Sequence, residues 1–369
     1  MQADLDRLRL VRTESVGPVT YRRLLERFPN PAEALAALPD LARMGGRTAP
    51  LRVPAEAEIE REIAWLARMG GKFIFLGGPG YPDYLAELPD PPPALAVLGD
   101  VALLAENAIG VVGARNASAG GLRFTEQLAS ELAAARIAVV SGLARGIDAA
   151  AHEGAMRTGR TIAVIAGGLD QPYPPENAAL QRRIAENGAV VAEAPLGTAP
   201  LARHFPKRNR IIAGLSLGLV VIEAAARSGS LLTARLANEA GREIFAVPGA
   251  PLDPRSKGGN ELIRQGAHLT ESIADILAAW PGGIGPRARR LPGFREARAP
   301  LAAPDTEADL AAARHAVPAL LGENGEDVDE LARRCQLSMA AMQAVILELE
   351  LGGLVEYLPG GRVVPATTA

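Results

Sequence analysis

The chain has 369 residues, of which 48% are hydrophobic and 22% are charged, which is ordinary for a globular protein of two or three domains. Its formal net charge of -3 argues against a protein that coats nucleic acid indiscriminately, because such binding scales with the phosphates neutralised. Any nucleic-acid site must be a local patch. The single cysteine excludes an internal disulfide, and the first residues lack the apolar segment of a secretory signal. We therefore expect a cytoplasmic protein without a membrane segment.

Residues 1–70 are predicted to form a small domain of short helices separated by turns. Pro18 suits the first turn of a helix, because the N–H that proline lacks has no partner there. The Gly17-Pro18 turn between two helices could be a helix-hairpin-helix that touches DNA phosphates. A plain helical pair is more common, and we favour that structural interpretation.

Residues 71–280 are predicted to form a doubly wound α/β domain, because short β-branched runs alternate regularly with amphipathic segments. The alternation implies a parallel sheet with helices on both faces, and such sheets bind ligands at the carboxyl ends of their strands. The predicted strands are 73–76, 109–112, 137–140, 161–166, 189–193, 219–223 and 243–247. The predicted helices between them are 121–136, 148–158, 176–187 and 231–240.

The carboxyl-terminal part is predicted to be a flexible linker, residues 281–304, followed by a winged-helix-like domain, residues 305–369. The linker is rich in Gly, Pro, Arg and Ala without periodicity. The domain combines a helix-turn-helix pattern with a hairpin turning at Gly360-Gly361. Its would-be recognition helix starts after Ser338 and carries no cation, so we expect protein contact rather than DNA reading.

Four loops at the carboxyl edge of the predicted sheet, residues 113–121, 141–148, 167–177 and 223–230, combine glycines with hydroxyls or cations. Arg115 lies in a glycine-rich loop that opens a helix, where backbone N–H groups favour an anion. Gly142 and Arg145 follow the next strand, and Asp148 can cap the helix after it. Ser230 is predicted to cap a helix near residue 231. One extended anionic ligand would satisfy these loops together.

The segment 205–214, Phe-Pro-Lys-Arg-Asn-Arg-Ile-Ile-Ala-Gly, places an aromatic ring and three cations at the start of an apolar helix. Only three lysines occur in the chain, Lys72, Lys207 and Lys257, so this cluster does not reflect general lysine richness. The segment suits a phosphate backbone with a stacked base. The alternative is a solvated helix start.

Carboxylates at the same edge leave an enzymatic interpretation open. Asp148, Asp170, Glu193 and Glu223 could supply a general acid or base, but no histidine or cysteine accompanies them in a nucleophile–base order. We favour pairing of these carboxylates with Arg115, Arg145, Arg208 or Arg210. The sequence contains neither a dinucleotide fingerprint nor a P-loop, and no histidine pair has zinc-ligand spacing. We expect no cofactor and no metal.

Taken in order, the motifs at 81–92, 112–118, 141–148, 168–177, 204–214 and 228–234 resemble the DNA-processing protein A family of bacteria. The resemblance covers most of the chain. It implies an extended Rossmann-like domain that binds single-stranded DNA, a SAM-like helical domain before it and a winged-helix-like domain after it. It also implies a homodimer that helps to load the recombinase RecA during natural transformation, with both contacts near residues 259–277.

By motif, the resemblance assigns DNA binding to Arg115, Ser118, Gly142, Arg145, Arg203, Phe205, Lys207, Arg208, Asn209, Arg210 and Ser230. Two positions depart from the family pattern. Ala114 replaces a common Ser or Thr, and Ala202 replaces a common lysine, with Arg203 beside it.

We therefore predict binding without bond-making: phosphates lie along the arginines while a base stacks on Phe205. Two rivals remain open. One is a nucleotide hydrolase that uses Glu193 or Glu223, although its usual P-G-G-x-G-T-x-x-E run is missing. The other is a duplex-reading regulator that acts through the winged helix.

Overall fold

A computed structural model of the chain describes residues 2–280, 305–322, 325–358 and 361–366. The predicted linker and Gly360 of the predicted hairpin turn lie outside the described residues. Contacts divide the chain into two compact units. One unit begins at Glu62 and contains the large sheet, and the other combines the residues up to Arg61 with the carboxyl-terminal domain.

The chain begins with helices, as the sequence predicts. They are α1 (Gln2–Arg12), α2 (Pro18–Arg27), α3 (Pro31–Met44) and α4 (Glu56–Arg68). Proline starts both α2 and α3, and the Asn30 side chain caps α3 by accepting a hydrogen bond from the Ala32 N–H.

The large sheet dominates the second unit. Its strands are β1 (Lys72–Phe75), β2 (Ala94–Gly99), β3 (Ala108–Gly113), β4 (Ala138–Ser141), β5 (Thr161–Ile165), β6 (Ala189–Ala192), β7 (Gly218–Ile222), β8 (Glu243–Ala246) and β9 (His268–Leu269). Their spatial order is β1-β2-β6-β5-β4-β3-β7-β8-β9. Strands β3 to β9 are parallel, whereas β2 runs antiparallel to both β1 and β6.

Helices cover both faces of this sheet. They are α5 (Asp83–Ala86), α6 (Ala119–Ala134), α7 (Ile147–Ala155), α8 (Ala178–Asn187), α9 (His204–Leu215), α10 (Gly229–Glu239), α11 (Lys257–Arg264) and α12 (Ile273–Ala278), with short 3₁₀ turns at Val101–Ala105, Pro175–Asn177 and Pro254–Ser256. Adjacent strand residues alternate between the two cores: Val139 packs with α6 and α7, and Val140 packs with α9 and α10. The predicted doubly wound α/β architecture is confirmed.

Two strands of the large sheet were not predicted from the sequence. Prolines 91–93 precede β2, and these prolines obscure the strand pattern in the sequence. The strand β2 is nevertheless buried from Ala94 to Leu98. Strand β9 has only two residues, too few for a periodic signal. Because β2 runs antiparallel to its neighbours, β1 and β2 form an antiparallel edge on the predicted parallel sheet.

The carboxyl-terminal domain has the element order of a winged helix. It contains α13 (Glu307–Leu320), β10 (Glu326–Asp327), α14 (Val328–Arg334), α15 (Met339–Leu351), β11 (Val355–Leu358) and β12 (Arg362–Pro365). Ser338 caps α15, as predicted, by accepting a hydrogen bond from the Ala341 N–H. The strands pair in the order β10-β12-β11.

We expect Leu95→Ala to lower the free energy of unfolding of the sheet unit by about 2–5 kcal/mol, because a cavity would open in the core. Leu95 is fully buried in β2. Urea denaturation followed by tryptophan fluorescence measures this, since Trp65 and Trp280 both belong to the sheet unit. The matched control is Leu252→Ala, whose side chain is 95% exposed and should leave stability unchanged. Equal effects of the two substitutions would contradict the assignment of β2 to the core.

Candidate functional site

Three side chains from separate elements meet at the carboxyl edge of the sheet. Arg115 follows β3, Tyr173 follows β5, and Phe205 lies in the first turn of α9. The guanidinium carbon of Arg115 is 5.3 Å from the centroid of the Phe205 ring. The ring centroids of Tyr173 and Phe205 are 5.7 Å apart, with planes inclined by 59°. We call Arg115, Tyr173 and Phe205 the rim cluster.

The rim cluster is accessible to solvent. Arg115 and Tyr173 are exposed, and Phe205 is half-buried. An exposed tyrosine ring beside a half-buried phenylalanine ring is unusual in a chain that is only 4% aromatic. Together the three side chains offer stacking surface and positive charge at one place, which is what a nucleotide base and its phosphate require. Tyr173 is absent from the predicted site residues. Its proximity to Phe205 depends on the fold. The sequence does place Tyr173 in a loop after a predicted parallel strand, and that position was the signal that could have identified it.

Arg208 lies beneath the rim cluster and is buried. Its guanidinium carbon is 5.8 Å from the Phe205 centroid, and its Nη1 donates a hydrogen bond of 2.6 Å to the Val164 carbonyl. The guanidinium passes over Gly142, where a Cβ would lie only 1.9 Å from Nη1. Only glycine leaves room for this side chain. The structure therefore gives Gly142 a packing role and gives Arg208 a role in fixing α9 against the sheet.

Burial shapes the charges around Arg208. Desolvation lowers the pKa of Arg208 to about 10. Asp148 lies nearby and accepts hydrogen bonds from the Gly142 and Ala144 N–H groups. Burial raises the pKa of Asp148, and the Arg208 charge opposes this shift. Asp148 was predicted to cap α7; instead it holds the loop that precedes α7.

Arg210 also points inward. Its Nη2 donates to both Glu193 carboxylate oxygens, at 2.6 and 2.7 Å, and its Nε lies 3.3 Å from Asp90. The Arg210 side chain is 10% exposed. The predicted pairing of Glu193 with an arginine is thus observed. The partners of Arg208 and Arg210 leave these two side chains little surface that a phosphate could contact. We therefore assign both arginines to holding α9 in place.

Other predicted cations remain accessible. Arg203 and Lys207 are exposed at the start of α9, and Asn209 is half-buried. Arg145 is exposed and forms an ion pair with Glu176. Such exposed pairs contribute little to stability and exchange readily with other anions.

The amino terminus of α6 already holds an anion. The Glu223 carboxylate accepts hydrogen bonds from the Ser118 hydroxyl and from the Ser118 N–H, the latter at 2.8 Å. Ser118 also caps α6 by accepting from the Gly121 N–H. The sequence correctly indicated that this helix start favours negative charge. In this structure the chain's own Glu223 carboxylate occupies the position where a bound anion was expected.

The start of α10 also differs from the prediction. Ser228 caps the helix, with its hydroxyl accepting from the Ser230 N–H at 3.2 Å. Ser230 was predicted as the cap, but it lies inside the first turn, buried, with its hydroxyl bonded to that of Ser228.

The carboxylates proposed for catalysis hold backbone or arginine partners. Asp170 accepts two hydrogen bonds from the Gly197 N–H, at 2.9 and 3.0 Å, which ties two loops together. Among the described residues, no group of three or more His, Cys, Asp or Glu side chains could hold a metal ion. Over the same part of the chain, no helix is long and apolar enough to cross a membrane.

Three family models match the chain. Residues 72–281 match "DNA recombination-mediator protein A", residues 1–64 match "DprA-like N-terminal HHH domain", and residues 301–361 match "DprA winged helix domain". Protein Smf of Escherichia coli is 39% identical over 307 residues, covering 83% of this chain and 80% of that protein.

Two solved structures are also similar. DNA processing protein A of Streptococcus pneumoniae has a TM-score of 0.64 and 36% identity, covering 75% of this chain and 97% of that chain. DNA processing protein A of Helicobacter pylori, described for its single-stranded DNA binding mode, has a TM-score of 0.50 and 32% identity. That match covers 54% of this chain and 91% of that one.

The buried layer below the rim cluster predicts a measurable pH dependence of stability. His152, in α7, is fully buried, and desolvation lowers its pKa to about 3, with a smaller effect from the Arg208 charge. In the unfolded chain the pKa of a histidine is about 6.5. At a pH between the folded and the unfolded pKa of His152, only the unfolded chain therefore binds the proton. The stability that neutral His152 contributes is therefore complete above the unfolded pKa and is lost as the pH falls. We expect His152→Gln to reduce the slope of unfolding free energy against pH by about 1.4 kcal/mol per unit between pH 5 and 6.

Urea denaturation with tryptophan fluorescence at several pH values measures this slope. His315→Gln is a control for the general effect of replacing a histidine, because His315 is exposed and lies outside the sheet unit that contains both tryptophans. An unchanged slope in His152→Gln would show that His152 is not held neutral in the folded protein.

Proposed function

Because the chain belongs to the DNA recombination-mediator protein A family, we propose that it binds single-stranded DNA at the rim cluster without strong sequence preference. The observation that carries this proposal is the half-buried Phe205 ring, which lies beside the exposed Tyr173 ring and 5.3 Å from the guanidinium carbon of the exposed Arg115. Base stacking on an aromatic ring contributes about 1–3 kcal/mol and tolerates any base, since every base has a π-face. The reported single-stranded DNA binding of the Helicobacter pylori protein supports the same ligand.

In this proposal the cations divide into two roles. Arg115, Arg145, Arg203 and Lys207 are exposed and contact phosphates, whereas Arg208 and Arg210 are buried and hold α9 in place. Arg145 exchanges Glu176 for a phosphate, at a small cost because the ion pair is exposed. Arg203 supplies the charge that a lysine supplies at the neighbouring position in the family pattern. The remaining site residues shape the loops and helix starts that surround the bound DNA strand; they are Ser118, Gly142, Asn209 and Ser230.

Binding assays on two variants separate stacking from charge. Phe205→Ala should weaken binding of a dT oligonucleotide by about 1–3 kcal/mol and leave the salt dependence unchanged, because no phosphate contact is lost. Arg115→Ala should flatten the slope of log affinity against log salt by about 0.7, the contribution of one phosphate on a single strand. Fluorescence anisotropy over a salt series measures both quantities.

Two further variants serve as controls for this salt series. Arg183→Ala removes an exposed ion-paired arginine of α8 and should change neither quantity. Arg210→Gln should retain the wild-type salt slope, because Arg210 serves Glu193 and Asp90 instead of phosphate. The proposal fails if Phe205→Ala and Arg115→Ala both bind as the wild type does.

We further propose that the protein is a homodimer that loads RecA onto the bound strand. Residues 259–277 offer a surface suited to such contacts. Strand β9 lies at the edge of the sheet, and Leu269 and Leu277 are exposed there. An exposed strand edge with apolar side chains is a common place for association between chains.

Loading can be tested with RecA and single-stranded DNA already coated by a single-strand-binding protein. The wild type should raise the DNA-dependent ATP hydrolysis of RecA, and Phe205→Ala should not, since the strand must be held first. Leu269→Lys, outside the rim cluster, should abolish the increase while retaining dT binding. Stimulation by Phe205→Ala equal to that of the wild type would separate loading from the rim cluster.

A further inference from the structure

Helix α15 carries apolar residues on opposite sides. Met342, Val345, Ile346 and Leu349 recur at helical spacing and pack into the core of the winged-helix domain. Leu347 and Leu351 lie on the opposite side of the helix, and both are buried. A helix with buried apolar residues on two opposite sides must be packed against other elements on both of those sides.

The second face of α15 is covered by the amino-terminal helical domain. Leu347 and Leu351 belong to one hydrophobic cluster with Leu10, Tyr21 and Leu38. In a winged helix that reads duplex DNA, the second helix of the helix-turn-helix enters the major groove. In this protein the carboxyl-terminal half of that helix is instead packed against protein.

Charged residues flank the buried face and find partners across the contact. The Glu348 carboxylate accepts a hydrogen bond of 2.7 Å from Arg314 and lies 3.9 Å from Arg27 of α2. Glu350 accepts a hydrogen bond of 2.7 Å from the Thr20 hydroxyl. Arg23 stacks on the ring of Tyr357 in β11, with 4.1 Å between the guanidinium carbon and the ring centroid. Thr20, Arg23 and Arg27 share one face of α2, so this face contacts the winged-helix domain along the length of α2.

Two glycines show that the backbones of the two domains are adapted to each other. Gly45 ends α3 with φ -74°, and Gly352 ends α15 with φ -65°, conformations that any residue adopts. A Cβ at Gly45 would lie 1.7 Å from the Glu348 carbonyl oxygen, and one at Gly352 would lie 2.1 Å from the Gly45 carbonyl oxygen. Local conformation does not require glycine at either position. The close approach of the other domain does.

We propose that the winged-helix domain is an intramolecular clasp: its α15 face and its wing bind the amino-terminal helical domain of the same chain and do not read duplex DNA. The occupant of the α15 face is thus the segment that contains α2 and α3. The clasp involves the first unit alone and does not depend on single-stranded DNA binding at the rim cluster.

A chain cut between its two parts tests the clasp. A specific protease site is inserted between Pro292 and Gly293, and the purified full-length protein is cleaved and passed over a sizing column at low micromolar concentration. The two fragments should co-elute. Gly45→Ala and Gly352→Ala should each weaken their association by about ten- to a hundredfold, since overpacking of this size costs about 1–3 kcal/mol. Gly17→Ala is the matched control, because Gly17 has no atom within 4 Å of an added Cβ.

Circular dichroism of each uncut variant separates failed docking from failed folding, and a variant that unfolds is replaced by Leu351→Lys. Co-elution of the wild type and Gly17→Ala with separation of the Gly45→Ala fragments supports the clasp. Separation of the wild-type fragments, or co-elution of all variants, overturns it. A duplex-binding assay completes the test: Gln343→Glu, on the exposed part of α15, should not change the affinity for a 20-base-pair duplex. A loss of more than about tenfold would restore the duplex-reading role.

Discussion

The arrangement of the sheet edge depends on one buried contact, the hydrogen bond from Arg208 to the Val164 carbonyl. It fixes the amino-terminal half of α9 to β5, and Phe205 lies in that half of the helix while Tyr173 follows that strand. The contact forms because Gly142 leaves a gap in the intervening loop. Desolvation makes a buried guanidinium costly, and the nearby Asp148 carboxylate offsets part of this cost. A charge inside the protein thereby sets the position of an aromatic ring on its surface.

The basic run at the start of α9 is not a uniform cationic surface. Lys207 is exposed and Arg208 is buried, although they are adjacent in the sequence. Arg208 precedes Ile211, Ile212 and Leu215 at helical spacing, so it lies on the buried face of α9. A cationic cluster in a sequence therefore contains members that hold the fold and members that remain available to a ligand. Helix phase accounts for the burial of Arg208, whereas Arg210 is buried through its ion pairs with Glu193 and Asp90.

The sequence predicted the fold well because hydrophobic periodicity is a local property. The parallel strands, the helices between them and the winged-helix pattern follow from alternation and capping, and Phe205 and Arg115 were both found from their loops. Other features depend on contacts between distant residues. Glu223 reaches the start of α6 across 105 residues, and Arg210 reaches Asp90 across 120. Strand β2 was missed because prolines precede it, and its place in the sheet depends on pairing with the distant strand β6. No local pattern encodes such partners.

The hydrophobic cluster shared by Leu10, Leu38 and Leu351 joins the two ends of the chain. During synthesis the amino-terminal helices leave the ribosome long before α15 exists, and domains generally fold as they emerge. These helices must therefore keep an apolar face uncovered while the whole sheet unit is translated. Final assembly of the first unit is a late, long-range event, because residues from both sides of the sheet unit must come together. Truncated or stalled chains would expose this face, and they would be the forms of the protein most prone to aggregate and most dependent on chaperones.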